Sequence, residues 1–220
     1  MNPRLVLMLC LTLLALVSAP IQAGYVWIPS PPAQEIEARL AKLQTDSAGM
    51  KSAIAAGKRA VFFCANCHGE SGVSKLEHVP NLAGQNVFYL LAQIDKFGDG
   101  RRQDAFMSGL VKVLKPEERF NIAVYYASLP VPPVAAANKA QAVSGGKLFA
   151  RVCSGCHGAN AHGTRDIARL AGQRTGYLVS SLKSYRDGSR SRSDPRMAGP
   201  ARTLSDADIA ALSIYLSSLP

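Results

Sequence analysis

The feature that most limits what this chain can fold into is that it is written twice. "FFCANCHGESG" (62–72) and "RVCSGCHGANAHG" (151–163) each hold a Cys-x-x-Cys-His, with Cys64, Cys67 and His68 in the first and Cys153, Cys156 and His157 in the second. The likeness continues on both sides. Gly57-Lys58 stands seven residues before Cys64, as Gly146-Lys147 stands seven before Cys153. "LAGQ" recurs at 82–85 and 170–173, Tyr89 matches Tyr177, Phe97 matches Tyr185, Gly100 matches Gly188, and "YYASLP" (125–130) answers "YLSSLP" (215–220). Self-similarity of this kind describes two homologous units of roughly 80–90 residues. Between them, "PVPPVAAANKAQA" (130–142) reads as a proline-rich, semi-extended linker.

The chain's start must be set aside first. "MNPRLVLMLCLTLLALVSAPIQA" has a positive charge at Arg4, an apolar run over Leu5–Val17 and then small residues. That is the layout of a secretory signal peptide, cleaved near Ala23. The run is shorter than the ~20 residues of a membrane span, and an uncleaved anchor is the alternative. Cys10 lies inside the run and leaves with the signal. The expected division is therefore a signal peptide over 1–23, an extension with a short helix over 24–50, a domain over 51–130, the linker over 131–142 and a second domain over 143–220. The exported part keeps four cysteines.

Strand signals are weak and helical signals recur. Each copy predicts a helix running into its Cys-x-x-Cys-His, a second over Val87–Phe97 or Gly176–Tyr185, and a last over Pro116–Leu129 or Asp206–Leu219. Pro116 suits a first helical turn, with Glu117 and Glu118 complementing the dipole. Ser205 with Asp208 makes a capping box. First and last helices are expected to cross near Gly57 and Tyr125, and near Gly146 and Tyr215, where glycine admits close backbones. "PPAQEIEARLAKLQ" (31–44) predicts a further amphipathic helix, read as a surface helix without a function. The fold class expected is all-α, as two tandem units.

Cysteines at i and i+3 share a helix face with a histidine at i+4. Two thiols so placed can form thioethers to the two vinyl groups of one haem, while the imidazole reaches the iron from the same side. This is the c-type haem attachment motif. The rivals are zinc, which wants four ligands, and disulfides within each pair, whose loops are too small to stabilise a fold much. Two complete copies would waste both histidines in one shared zinc site. Two covalently bound haem c groups are therefore expected.

For the irons' sixth ligands the first unit offers His78, Met107 and several lysines. The second offers His162, Met197 and Lys183. Met107 follows His68 by 39 residues and Met197 follows His157 by 40. The competing account is that each methionine fills a core gap. The flanks "DAFMSG" and "DPRMAG" read instead as polar, glycine-rich loops, and His78 and His162 do not match in position and read as surface residues. Thioether ligation raises a haem's potential relative to a second imidazole and fills the coordination shell. Both points favour electron transfer over catalysis.

With these motifs in view, the chain from about residue 50 onward resembles the cytochrome c4 family. The likeness rests on the two Cys-x-x-Cys-His motifs, "PNLAGQ" and "ARLAGQ", "FGDGRR" and "YRDGSR", and Met107 and Met197. The resemblance implies two mono-haem cytochrome c domains around a pseudo-two-fold axis. It also implies a periplasmic carrier, soluble or loosely membrane-associated, that feeds terminal oxidases. It assigns Cys64, Cys67, His68 and Met107 to the first haem, and Cys153, Cys156, His157 and Met197 to the second. It further implies that a carbonyl at Pro80 accepts from the ring of His68. The second copy departs from this, with Ala168 in the proline's place.

The formal charge of +10 is uneven. Residues 51–135 carry ten basic and seven acidic groups, and residues 136–220 twelve and five. Arg186, Arg190, Arg192 and Arg196 crowd the approach to Met197. Some can neutralise haem propionates, and a docking surface for an acidic partner is the sharper reading. An anionic membrane surface is a second possible partner, and nucleic acid fits an exported haem protein poorly. Three function classes follow: an electron carrier, the cytochrome subunit of a larger dehydrogenase such as a sulfide-oxidising flavocytochrome, and a di-haem peroxidase. The last needs an open or displaceable ligand, where this sequence offers methionine twice.

Overall fold

The computed structural model describes residues 27–132, 138–189, 191–192 and 194–220. The expected signal peptide over 1–23, with Cys10, and Arg190 lie outside the described residues. Among the described residues the chain is helical: α1 Ala33–Thr45, α2 Ser47–Ala60, α3 Phe62–His68, α4 Val87–Gly98, α5 Ala105–Lys112, α6 Pro116–Ser128, α7 Lys139–Val152, α8 Ser154–His157, α9 Thr175–Arg186, α10 Pro195–Ala201 and α11 Asp206–Ser217. One isolated bridge, Thr164 to Ile167, is the extended pairing found there.

Side-chain chemistry fixes where several helices start. Ser205 and Asp208 close a reciprocal box at α11, with Asp208 N–H donating to Ser205 Oγ at 3.1 Å and Ser205 N–H donating to Asp208 Oδ2 at 3.0 Å. Pro116 opens α6. Two starts differ from expectation. Asp46 caps α2 by accepting from Gly49 N–H at 2.8 Å, so helix begins before residue 51. Asn138 caps α7 by accepting from Gln141 N–H at 3.1 Å, so residues 139–142 are helical rather than linker. Asp and Asn are strong caps wherever the backbone enters a helix.

In each domain the first and last helices cross where a glycine removes the side chain between them. A Cβ on Gly57 would stand 2.1 Å from Asn121 O, and one on Gly145 would stand 2.1 Å from Ala211 O. The second crossing glycine is thus Gly145, one residue before the expected Gly146. The cause lies at the helix breaks. In the first domain the helix breaks at Val61, before Cys64, whereas α7 runs unbroken to Val152. One residue is about 100° of helix rotation, and the early break absorbs it. The first core gathers Leu90, Leu91, Phe120, Ala123 and Tyr126, and the second Phe149, Leu178, Ile209, Leu212 and Leu216. Helices α4 and α9 pack on α6 and α11 respectively.

Helix α1 is not an idle surface helix. Ile36 is buried in the first core, and Leu40 and Leu43 pack against it. Arg39 lies 3.7 Å above the Phe120 ring and pairs with Glu117 at 2.8 Å. Just before α1, Trp27 stacks on the buried Arg119 at 3.6 Å.

The two domains meet along the repeated "LAGQ" turns. The Gln85 amide donates to Arg169 O at 2.9 Å and accepts from Arg169 N–H at 2.7 Å. The Gln173 amide donates to Asn81 O at 3.0 Å and accepts from Asn81 N–H at 2.7 Å. Both glutamines are buried. Gly84 and Gly172 turn with φ of 64° and 71°, a left-handed region costly for other residues. Val131 sits between them, so that a Cβ on either glycine would meet one of its methyls at 2.5 Å.

Candidate functional site

Helix α3 brings Cys64, Cys67 and His68 onto one short element. In the second domain Cys153 caps α8, which carries Cys156 and His157. All four cysteines are unpaired. Burial pushes the Cys64 thiol up, and pushes Cys153 up to about 11. A redox-active pair needs a thiolate, favoured by a lowered pKa. Nor, among the described residues, do three or more His, Cys, Asp or Glu side chains gather as they would around zinc.

Both histidines are buried, at 7% and 6% exposure. His68 Nδ1 lies 2.8 Å from Pro80 O, and His157 Nδ1 lies 2.9 Å from Ala168 O. A carbonyl can only accept, so Nδ1 carries the proton and donates, which leaves the Nε2 lone pair available. Burial holds both imidazoles below the usual histidine range, against the opposing pull of the carbonyl bond. The neutral ring is the form that ligates metal. The Ala168 departure therefore costs nothing in this bond, because the carbonyl and not the proline ring makes it. The loop is further ordered in the first domain: Ser74 Oγ donates to Cys67 O at 2.7 Å, and Asn81 Oδ1 accepts from Ser74 N–H at 2.9 Å.

The two methionines stand on separate helices from these trios. Met107 and Met197 are half-buried and lie in the opening turns of α5 and α10, not in loops as expected. Asp104 and Asp194 cap those turns, Asp104 by accepting from Met107 N–H at 2.9 Å and Asp194 from Arg196 N–H at 3.1 Å. Both aspartates were legible as cap residues in "DAFMSG" and "DPRMAG". Helix α5 packs on α4, and α10 on α9. Of the other candidates, His78 is exposed, Lys183 pairs with Asp206 at 3.0 Å, and His162 Nε2 lies 3.0 Å from Pro220 O. Phe62 and Phe63 beside Cys64, with Phe106 on α5 and Val113 just past its end, leave apolar surface exposed. Such surface fits a large flat apolar group.

At the seam between the domains Arg102 and Arg192 converge on one tyrosine. Arg102 donates to Gln93 Oε1 at 2.9 Å and to Tyr177 OH at 3.4 Å. Arg192, 6% exposed, donates to the same phenol oxygen and to Ser181 Oγ at 3.2 Å. Burial alone would raise the Tyr177 phenol, but Arg192 and Arg102 overturn it and bring it down to about 8. These partners are amide and hydroxyl oxygens, not carboxylates. A cationic pair of this kind, Arg192 buried and Arg102 half-buried, suits a group that brings carboxylates of its own, as haem does with its propionates.

Of the four arginines expected to form a docking surface on the second domain, three have partners of their own, and Arg190 lies outside the described residues. Arg192 is inside the seam. Arg186 is tied to Asp187 and Asp206 at 2.8 and 2.7 Å, and Arg196 to Asp166 and Asp194 at 2.9 and 3.0 Å. Sequence counting missed this because the pairing carboxylates lie up to 30 residues away. It also missed the seam glutamines. Their one signal was a polar residue recurring inside an otherwise apolar repeat.

The cytochrome c family model matches residues 142–220. The chain is 34% identical to cytochrome c4 of Pseudomonas aeruginosa over 176 residues, covering 75% of this chain and 88% of that one. It is 33% identical to a thiosulfate dehydrogenase electron acceptor of Thiomonas intermedia, over 71% of this chain and 78% of the relative. The solved structure of reduced recombinant cytochrome c4 from Pseudomonas stutzeri superposes with a TM-score of 0.70 at 33% identity, covering 75% of this chain and 97% of that chain.

Proposed function

Since the chain belongs to the cytochrome c4 family of di-haem electron-transfer proteins, we propose that Cys64, Cys67, His68 and Met107 hold one of its two covalent haems and Cys153, Cys156, His157 and Met197 the other. One observation carries this assignment. In both domains the ring Nδ1 of the motif histidine is committed to a backbone carbonyl, which turns Nε2 into the ligating nitrogen and orients the ring. Haem supplies reversible one-electron chemistry once bound. The chain would attach it through the four motif thiols and hold it with the neutral imidazoles and the methionine thioethers, and Arg102 and Arg192 would pair with its carboxylates. Were Met107 and Met197 both to ligate, neither site would keep a place for substrate, which supports a carrier over a peroxidase.

The division into domains over 51–130 and 143–220 goes with this reading, with helix extending to residues 47 and 139. The proposed location is the periplasm, after cleavage near Ala23. Among the described residues no helix is long and apolar enough to cross a membrane. The proposed acceptor is a terminal oxidase or another redox protein. A second reading is favoured by the relative described as the electron acceptor of a thiosulfate dehydrogenase: this chain would then serve one dedicated sulfur-oxidising enzyme. Mass spectrometry of the acid–acetone-extracted protein tests the haem assignment, with two haems retained in the parent and one after Cys64→Ala/Cys67→Ala. Retention of both haems in that variant overturns it. Purification alone, or together with a dehydrogenase, separates the two partner readings.

A further inference from the structure

We propose that Gln85 and Gln173 are positioning residues for electron transfer between the two haems: each amide grips the backbone of the other domain and fixes the spacing of the haem-bearing halves. The inference rests on the haem assignment above. Four observations carry it. The grips are reciprocal, Gln85 on residue 169 and Gln173 on residue 81, and each uses both the donor and the acceptor of its amide. Each Oε1 also accepts from the next residue of its own domain, Asn86 N–H at 3.0 Å or Arg174 N–H at 2.9 Å, so neither side chain is free to rotate. Both glutamines are buried, at 5% and 6% exposure, so water does not compete. Finally, the gripped residues adjoin the carbonyls that hold the ligand histidines: Asn81 follows Pro80, and Arg169 follows Ala168.

That adjacency links the seam to the irons. The Pro80 carbonyl orients the ring of His68, and the very next N–H is held by the other domain's Gln173. Ala168 and Arg169 repeat the arrangement with Gln85. Each glutamine thus bears on the partner domain's histidine through a single peptide unit. When an electron crosses the seam, one iron passes from ferrous to ferric as the other passes from ferric to ferrous, and no atom moves between the domains. The rate then depends on distance and orientation, which the two grips set. An alanine at either position leaves one backbone N–H and one carbonyl of the other domain without their partner, so the domains must part or shift to satisfy them.

The test uses the purified di-haem protein and the variants Gln85→Ala, Gln173→Ala and the double. After rapid one-electron reduction, the interdomain transfer rate is followed by absorbance. Amide hydrogen exchange is measured at residues 81 and 169, and haem content by mass. We expect each single variant to keep two six-coordinate haems and to lose several-fold in interdomain rate, since electron transfer falls off steeply as its two centres part. Exchange should accelerate at both residue 81 and residue 169 in either single variant, because one lost grip loosens the other. An unchanged rate in variants that hold both haems overturns the proposal. So does accelerated exchange confined to the residue whose own glutamine was removed. A variant that holds fewer than two haems is replaced by Gln85→Glu, which keeps the size and the accepted bonds but puts a carboxylate oxygen against Arg169 O. Its rate should fall likewise, and a parental rate there sinks the idea. A parent with fewer than two haems refutes the haem assignment instead.

Discussion

At the residue scale, the proposed assignment gives each site one imidazole and one thioether. Replacing Met107 or Met197 by Ala should remove one thioether–iron charge-transfer band, open one iron to carbon monoxide and lower one potential. The other haem should change little, since each domain supplies its own donors. Spectra that stay parental in both variants would show that these methionines only pack. Arg192 now carries a different expectation from a docking residue. Arg192→Glu buries an anion beside Tyr177 and Gln93 and removes a guanidinium from the seam. It should cost about 3 kcal/mol, as the loss of a buried charge partner does. Denaturation at low and high ionic strength checks this: a loss insensitive to salt fits a buried role, and one abolished by salt fits surface docking.

At the element scale, the helix crossings and caps decide stability. Gly57→Ala drives a methyl into the Asn121 carbonyl of α6 and should cost about 1–3 kcal/mol through overpacking. Gly146→Ala, one residue past the second crossing and facing only the edge of the Tyr215 ring, should cost less. Ser205→Ala should cost about 1 kcal/mol by opening the α11 cap. Urea unfolding followed at the haem band measures all three. Much of this level was legible in the sequence, because its causes are local: Pro116, the Ser205–Asp208 pair and the apolar spacing of Ile36, Leu40 and Leu43 announce helices where helices stand. The one-residue error at Gly146 came from the break at Val61, which no turn residue marks. What α1 packs on was not legible either, for Phe120 is distant in sequence and amphipathicity names a face without naming its partner. The seam stayed hidden for the same reason, since Gln85 reaches a backbone 84 residues away.

At the scale of the whole molecule, the seam has its own response to acid. Lys96 of the first domain pairs with Asp194 of the second at 3.1 Å. Arg196, with Lys96, holds the Asp194 carboxyl well below its ordinary range. A depressed folded-state pKa means the pair stabilises fully above about pH 4, where the unfolded carboxylate is ionised, and fades as pH falls below that. Interdomain amide exchange in the parent should therefore speed up below about pH 4, and Asp194→Asn should flatten that dependence. Equal acid sensitivity in both proteins would place the response elsewhere. The reciprocity of Gln85 and Gln173 reaches further still. A face on which residue i of one half grips j of the other, while the equivalent of i grips the equivalent of j in return, is isologous, the self-complementary kind that joins identical subunits in a two-fold dimer. A single ancestral domain bearing this turn could have offered the same face to a second copy of itself. Joining two such domains by the segment around Val131 makes their meeting independent of concentration. It also frees the halves to diverge, so that the two sides of one symmetric contact can come to serve different redox neighbours.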